Sequence, residues 1–205
     1  MGKLGFRIVI MAIISLLNIY CVQGQDAIFS QFFSSSVYLN PAFSGSGTGF
    51  RAVFNYRNHP LENASNFSHM NVAIDQYVPA LNGGIGIIAT SDYQGGFSWK
   101  NHIDIAYAYH LRIKEDLFIN LSLQAGYYRR DIRWGGLDFY DNYNQPPPPE
   151  NYRHSPNFAT GFLIYNHWLY GGVAAHHLSE PKESSFGSNV LPRKYTAHFG
   201  MYLQP

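Results

Sequence analysis

The chain has 205 residues, of which 46% are hydrophobic, 17% aromatic and only 13% charged, with a formal net charge of +1. A soluble domain carries about 25% charged residues, yet no run of about 20 apolar residues supplies a spanning helix. Low charge, 19 Gly, 16 Tyr and 15 Phe suit a transmembrane β-barrel, with a secreted β-sandwich as the plainer alternative, and give no support for nucleic-acid binding.

Residues 1–24 read as a secretory signal peptide. Lys3 and Arg7 form its positive flank, Ile8 to Leu17 its apolar core and Val22-Gln23-Gly24 its cleavage site. Gln25 is then the mature start. Cleavage removes Lys3, Arg7 and no acid, taking the charge from +1 to −1. Cys21 is the only cysteine, so the mature chain has no disulfide and no thiolate zinc site. Ile19-Tyr20 before it do not fit a lipoprotein signal.

Residues 25–49 differ in kind. They are rich in Ser, Phe and Asn, with turn signals at Asn40-Pro41 and Gly45. They are expected to form an ordered periplasmic or plug segment ahead of a barrel at 50–205. Gly45-Ser46-Gly47-Thr48-Gly49 resembles a phosphate loop only loosely, since it lacks the Lys-Ser/Thr ending and the following helix.

About eight antiparallel strands follow. Phe50 to Arg57 sets Phe50, Ala52, Phe54 and Tyr56 against Arg51, Val53, Asn55 and Arg57. Ser68 to Tyr77 sets Met70, Val72 and Ile74 against His69, Asn71 and Asp75. Gly84 to Ser91 has Ile85, Ile87 and Ala89 opposite small residues. Ser98 to Ile113 alternates without a break: Trp99, Ile103, Ile105, Tyr107, Tyr109 and Leu111 oppose Ser98, Lys100, His102, Asp104, His110 and Arg112. Successive strand residues point to opposite faces. One face is therefore greasy and the other charged, over a length that suits a strand between lipid and a wet lumen. Leu117 to Arg130, Phe158 to Tyr165, Trp168 to His177 and Tyr195 to Gln204 complete the set.

The connections alternate as well. Pro79 to Gly83, Lys114 to Asp116 and Asn166-His167 are short; Asn58 to Phe67, Asp92 to Phe97, Asp131 to Asn157 and Leu178 to Lys194 are mostly longer. Outer-membrane barrels have short periplasmic turns and longer extracellular loops, so the first strand is expected to run outward. Trp99 and Tyr109 would lie about 23 Å apart along the membrane normal, close to the apolar band of about 25 Å between aromatic girdles. Asp131 to Asn157, with Trp134-Gly135-Gly136 and Pro146 to Pro149, is either a binding loop or a solvated cap.

The N-terminal stretches Gln25 to Phe33 (QDAIFSQFF) and Tyr38 to Gly45 (YLNPAFSG) resemble the PorP/SprF family. So do the first strand through Asn58, Tyr170 to Pro181 and Leu191 to Gly200. The resemblance spans nearly the whole mature chain. It implies an outer-membrane β-barrel of the type IX secretion system, acting in protein export or in placing gliding adhesins on the cell surface. Implied partners are outer-membrane lipids, periplasmic and lipoprotein components of the machinery, and a secreted adhesin or cargo. Ser30, Gln31, Asn40, Pro41 and Ala42 are the partner-binding candidates. The family brings no catalytic residue and no cofactor. Its members are longer, so the chain is expected to be C-terminally incomplete and part of a larger barrel.

Other motifs weigh less. Adjacent strand residues face opposite ways, so His176-His177 do not chelate a metal together on a straight strand. His69, His102, His110 and His198 have lumen-facing parity and read as polar lining. Asp104 and His102 share a face with Ser98, and His69 with Asp75, as catalysis by an oriented base would need. Such pairs arise often in a charged lumen, so catalytic, metal and cofactor residues are expected to be none. The alternative function is a small passive pore or a barrel enzyme.

Overall fold

The computed structural model describes residues 35–47, 49–59, 66–95, 98–133, 152–182 and 190–201. The signal-peptide reading, Ser30 and Gln31, the Trp134 and proline-rich stretch and the last residues of the chain lie outside them. Eight strands form one sheet: β1 (Arg51–His59), β2 (Phe67–Val78), β3 (Gly83–Gln94), β4 (Ser98–Lys114), β5 (Leu117–Ile132), β6 (Tyr152–Tyr165), β7 (Leu169–His176) and β8 (Lys194–Met201). Their order is sequential and every neighbouring pair is antiparallel. Among the described residues β1 and β8 do not pair, so the sheet is a half-barrel with two edges. The all-β, antiparallel reading holds, and among the described residues no helix is long and apolar enough to cross a membrane.

The parity read from the sequence is the parity of the sheet. Ile105 is 58% exposed and its neighbour Asp104 only 5%. Phe54, Ile103, Leu123, Tyr195 and Phe199 share the exposed convex face. Asn71, Asp75, Thr90, Asn120 and Gln124 are buried on the concave one. This is an apolar exterior around a polar interior, the reverse of a soluble domain and the arrangement of a barrel in lipid.

Two boundaries depart from the sequence reading. β6 begins at Tyr152, inside the stretch expected as loop, despite Pro156. Leu178 N–H donates to Phe158 O at 2.9 Å and Ser179 Oγ to Pro156 O at 2.7 Å. In an antiparallel strand a residue's N–H and C=O point the same way. The missing N–H of Pro156 therefore faces away from β5, where no ladder bond is lost. The β3–β4 connection is also tight, because β3 runs to Gln94 and β4 starts at Ser98.

The concave face is filled by the chain's own N-terminal segment. A short helix, α1 (Ser36–Leu39), leads into a 3-10 turn, Pro41–Phe43. Val37 packs with Ala73 and Ile88 as the apolar centre, flanked by Tyr38 and Phe43.

Candidate functional site

The segment from Ser35 to Gly47 crosses the concavity and bonds strand after strand. Ser35 Oγ reaches Asn71 Oδ1 at 3.4 Å on β2 and accepts from Asn55 Nδ2 on β1. Leu39 O accepts from Thr196 Oγ1 of β8 and lies against His176 Nε2 of β7, each at 3.1 Å. Ala42 O accepts from Asn120 Nδ2 of β5 at 3.0 Å. Ser44 O meets His110 Nε2 of β4 at 2.9 Å. Gly45 N–H donates to Asp75 Oδ2 at 2.8 Å. Arg51 then closes the circuit, with Nε at 2.8 Å and Nη2 at 2.9 Å from the two Asp75 oxygens and Nη2 at 3.1 Å from Phe43 O. A bidentate guanidinium–carboxylate pair fixes direction as well as distance.

Asn40 is the centre of this seat. It caps the 3-10 turn: its Oδ1 accepts from Ala42 N at 2.9 Å, and Pro41 at the first position needs no N–H. That bond sets the amide's orientation. Nδ2 then points at Phe162 O (3.0 Å) on β6, Val173 O (3.3 Å) on β7 and His198 Nε2 (3.0 Å) on β8. An amide nitrogen only donates, so His198 Nε2 accepts there.

The strands make room for the segment with small side chains. A Cβ on Gly161 would collide with Asn40 Oδ1, and one on Gly84 with Ser44 O. A Cβ on Gly86 would fall 2.7 Å from Ser44 Oγ. Ala106 and Ala108, the only apolar residues on the charged face of β4, are fully buried.

The candidate residues Asn40, Pro41 and Ala42 are thus brought together, but inside the concavity, where all three are buried. Ser30 and Gln31 lie outside the described residues. His69, His102, His110 and His198 all face the concave side. His69 pairs with Asp92 at 2.6 Å, and His102 packs edge-on against Tyr128 with centroids 4.7 Å apart. The face-sharing pairs singled out for catalysis are not the pairs that bond: Asp75 is held by Arg51 and Asp104 by Asn157 and Gln124.

His176 and His177 depart from the opposite-face rule. β7 ends at His176, and His177 takes a left-handed backbone, φ 56°. Both side chains therefore turn inward, each 6% exposed, with ring centroids 6.4 Å apart. Among the described residues no group of three or more His, Cys, Asp or Glu is placed to share a metal ion.

The seat was not legible in the sequence because its halves lie far apart along the chain. The signal that was present is the small-residue stripe on β3, β4 and β6, which spoils an otherwise large or charged inner face.

A family model described as type IX secretion system membrane protein PorP/SprF matches residues 22–205. No curated protein and no solved structure matches the chain.

Proposed function

The chain belongs to the PorP/SprF family of type IX secretion system membrane proteins, and on that premise we propose that it supports the export, or the surface placement, of cargo proteins or gliding adhesins. Its work is docking and anchoring, not catalysis. The half-barrel fits an outer membrane, reached through a signal peptide cleaved after Gly24. The long connections face outward and the short turns face the periplasm.

The observation that carries this reading is the filled concavity. A passive pore needs an open lumen, whereas this one is crossed by a segment bonded to strands from β1 to β8. Asn40, Pro41 and Ala42 act as a structural plug. The docking role then falls to the residues ahead of Ser35, with Ser30 and Gln31 as candidates for contact with periplasmic or lipoprotein components.

Two deletions separate the roles. Loss of 26–34 should leave a heat-modifiable, membrane-inserted barrel that no longer exports cargo or pulls down periplasmic partners. Loss of 26–45 should impair insertion itself. Normal export after the 26–34 deletion would sink the docking role.

A further inference from the structure

On the long-loop side of the plug, Tyr38, Thr90, Asp104, Gln124, Asn157 and His177 help line a cavity of about 30 Å³. Asp104 is 5% exposed, Gln124 7% and Asn157 2%. A carboxylate only accepts hydrogen bonds, so it turns both neighbouring amides nitrogen-first. Asn157 Nδ2 donates to Asp104 Oδ1 at 3.2 Å, and the Gln124 side chain bonds the same carboxylate. Their oxygens must then find donors elsewhere. Asn157 Oδ1 has His177 Nδ1 at 3.1 Å, a ring aimed inward by the left-handed backbone at its own residue. Gln124 Oε1 is buried with no partner. Asp104 itself makes no ion pair within 4.0 Å among the described residues; the one charge-bearing side chain acting on it is the His177 ring. A buried carboxylate held only by two neutral amides and the nearby His177 ring, and a buried acceptor left unmet, are both costly, and here they stand side by side.

We infer that this chamber is a binding site for a primary ammonium group, with Asp104 supplying the counter-charge and Gln124 Oε1 an acceptor. The ligand must donate, because every unmet atom accepts. It must be cationic, because the buried charge is negative. It must be small at its head: a water needs at least about 10–15 Å³ by this measure, so the space takes one ammonium or two waters and not a folded molecule. Asp92, His102, His176 and Lys194 also line the cavity; Asp92 is paired with His69 and Lys194 lies over the Tyr38 ring at 4.9 Å, and Gln124 Oε1 has no partner with any of them in place. The site goes beyond the docking role and stands or falls independently of it.

The test uses the full mature chain, refolded in micelles with ¹⁵N-labelled glutamine, the Gln124 side-chain amide being assigned by its loss in Gln124→Met. Methylammonium chloride should shift that signal saturably, while tetramethylammonium, equally charged but without N–H donors, should not. Asp104→Asn should bind methylammonium at least about tenfold more weakly, the equivalent of one charge-assisted hydrogen bond. Competition by Nα-acetyl-lysine methylamide would identify a lysine side chain as an acceptable source of the group; its failure alongside saturable methylammonium binding would restrict the site to free small amines. Equal shifts from both salts, or none from either, would overturn the proposal, the second meaning that the chamber holds water only. If Asp104→Asn does not fold, the comparison of the two salts on the unaltered protein decides alone.

Discussion

Asn40 uses both ends of its amide, and the two ends can be separated by mutation. Asn40→Asp keeps the acceptor that caps the 3-10 turn but presents oxygen to Phe162 O and Val173 O. Asn40→Ala removes both. Loss of a cap costs about 1 kcal/mol, whereas buried acceptors left without a donor cost about 1–3 kcal/mol. Asn40→Ala thus loses both, about 2–4 kcal/mol, whereas Asn40→Asp keeps the cap but buries an unpaired carboxylate against two carbonyl oxygens, which costs several kcal/mol. Asn40→Asp should destabilise at least as much as Asn40→Ala, measured by urea unfolding in lipid vesicles. A well-tolerated aspartate would show that the cap, not the three-strand contact, matters. On the outer face the contrast is between neighbours. Ile105→Arg should cost about 2–4 kcal/mol if it lies near the bilayer midplane, and Asp104→Arg should impair vesicle insertion less, because Asp104 is buried on the polar side. Equal effects would refute the facing. That parity was fully legible in the sequence, because strand alternation is a local rule. The partners of Asn40 were not, because they lie more than a hundred positions along the chain.

At the scale of elements, β4 was readable because its faces alternate from Ser98 to Leu111, up to the register shift between Arg112 and Lys114 at its end. β6 starts at Tyr152 and not at Phe158, with Pro156 inside it. Only the observation that its nitrogen faces away from β5 reconciles it with the sheet. His177 shows the opposite case: β7 ends at His176, and the left-handed backbone of the next residue takes it out of the alternation. The connections carry the topology. The Glu115-Asp116 turn joins β4 and β5 directly, while the β7–β8 connection is long enough to contain a bridge between Lys182 and Val190. Both Glu115 and Lys182 are exposed. Cys21 falls in the leader proposed to be cleaved, so single cysteines at these positions would be the only thiols of the mature chain. On whole cells a membrane-impermeant maleimide should label Lys182→Cys and spare Glu115→Cys until the outer membrane is permeabilised. The reverse pattern would invert the proposed orientation.

For the molecule as a whole, the question is whether the plug is a core or a gate. The edges of β1 and β8 meet no strand among the described residues, and hydrocarbon offers their backbone groups no hydrogen bond. In the bilayer both edges therefore need further strand partners. The plug braces this unclosed sheet from inside, since Arg51 and Asp75 tie it to one edge and Asn40 and Leu39 tie it to the other. A brace of that kind should stay in place while the machine works. A Cβ placed on Gly86 falls 3.4 Å from Ser44 Cβ, just below the roughly 3.5–4.5 Å that a disulfide spans. The double variant Ser44→Cys with Gly86→Cys can thus lock the plug to β3 in an oxidising periplasm. Export measured with the bond formed, as judged by gel mobility without reductant, should match export after reduction. Export that is blocked when locked and restored by dithiothreitol would mean that the segment leaves its glycine seat during transport, and that the concavity is a gated passage rather than a braced wall.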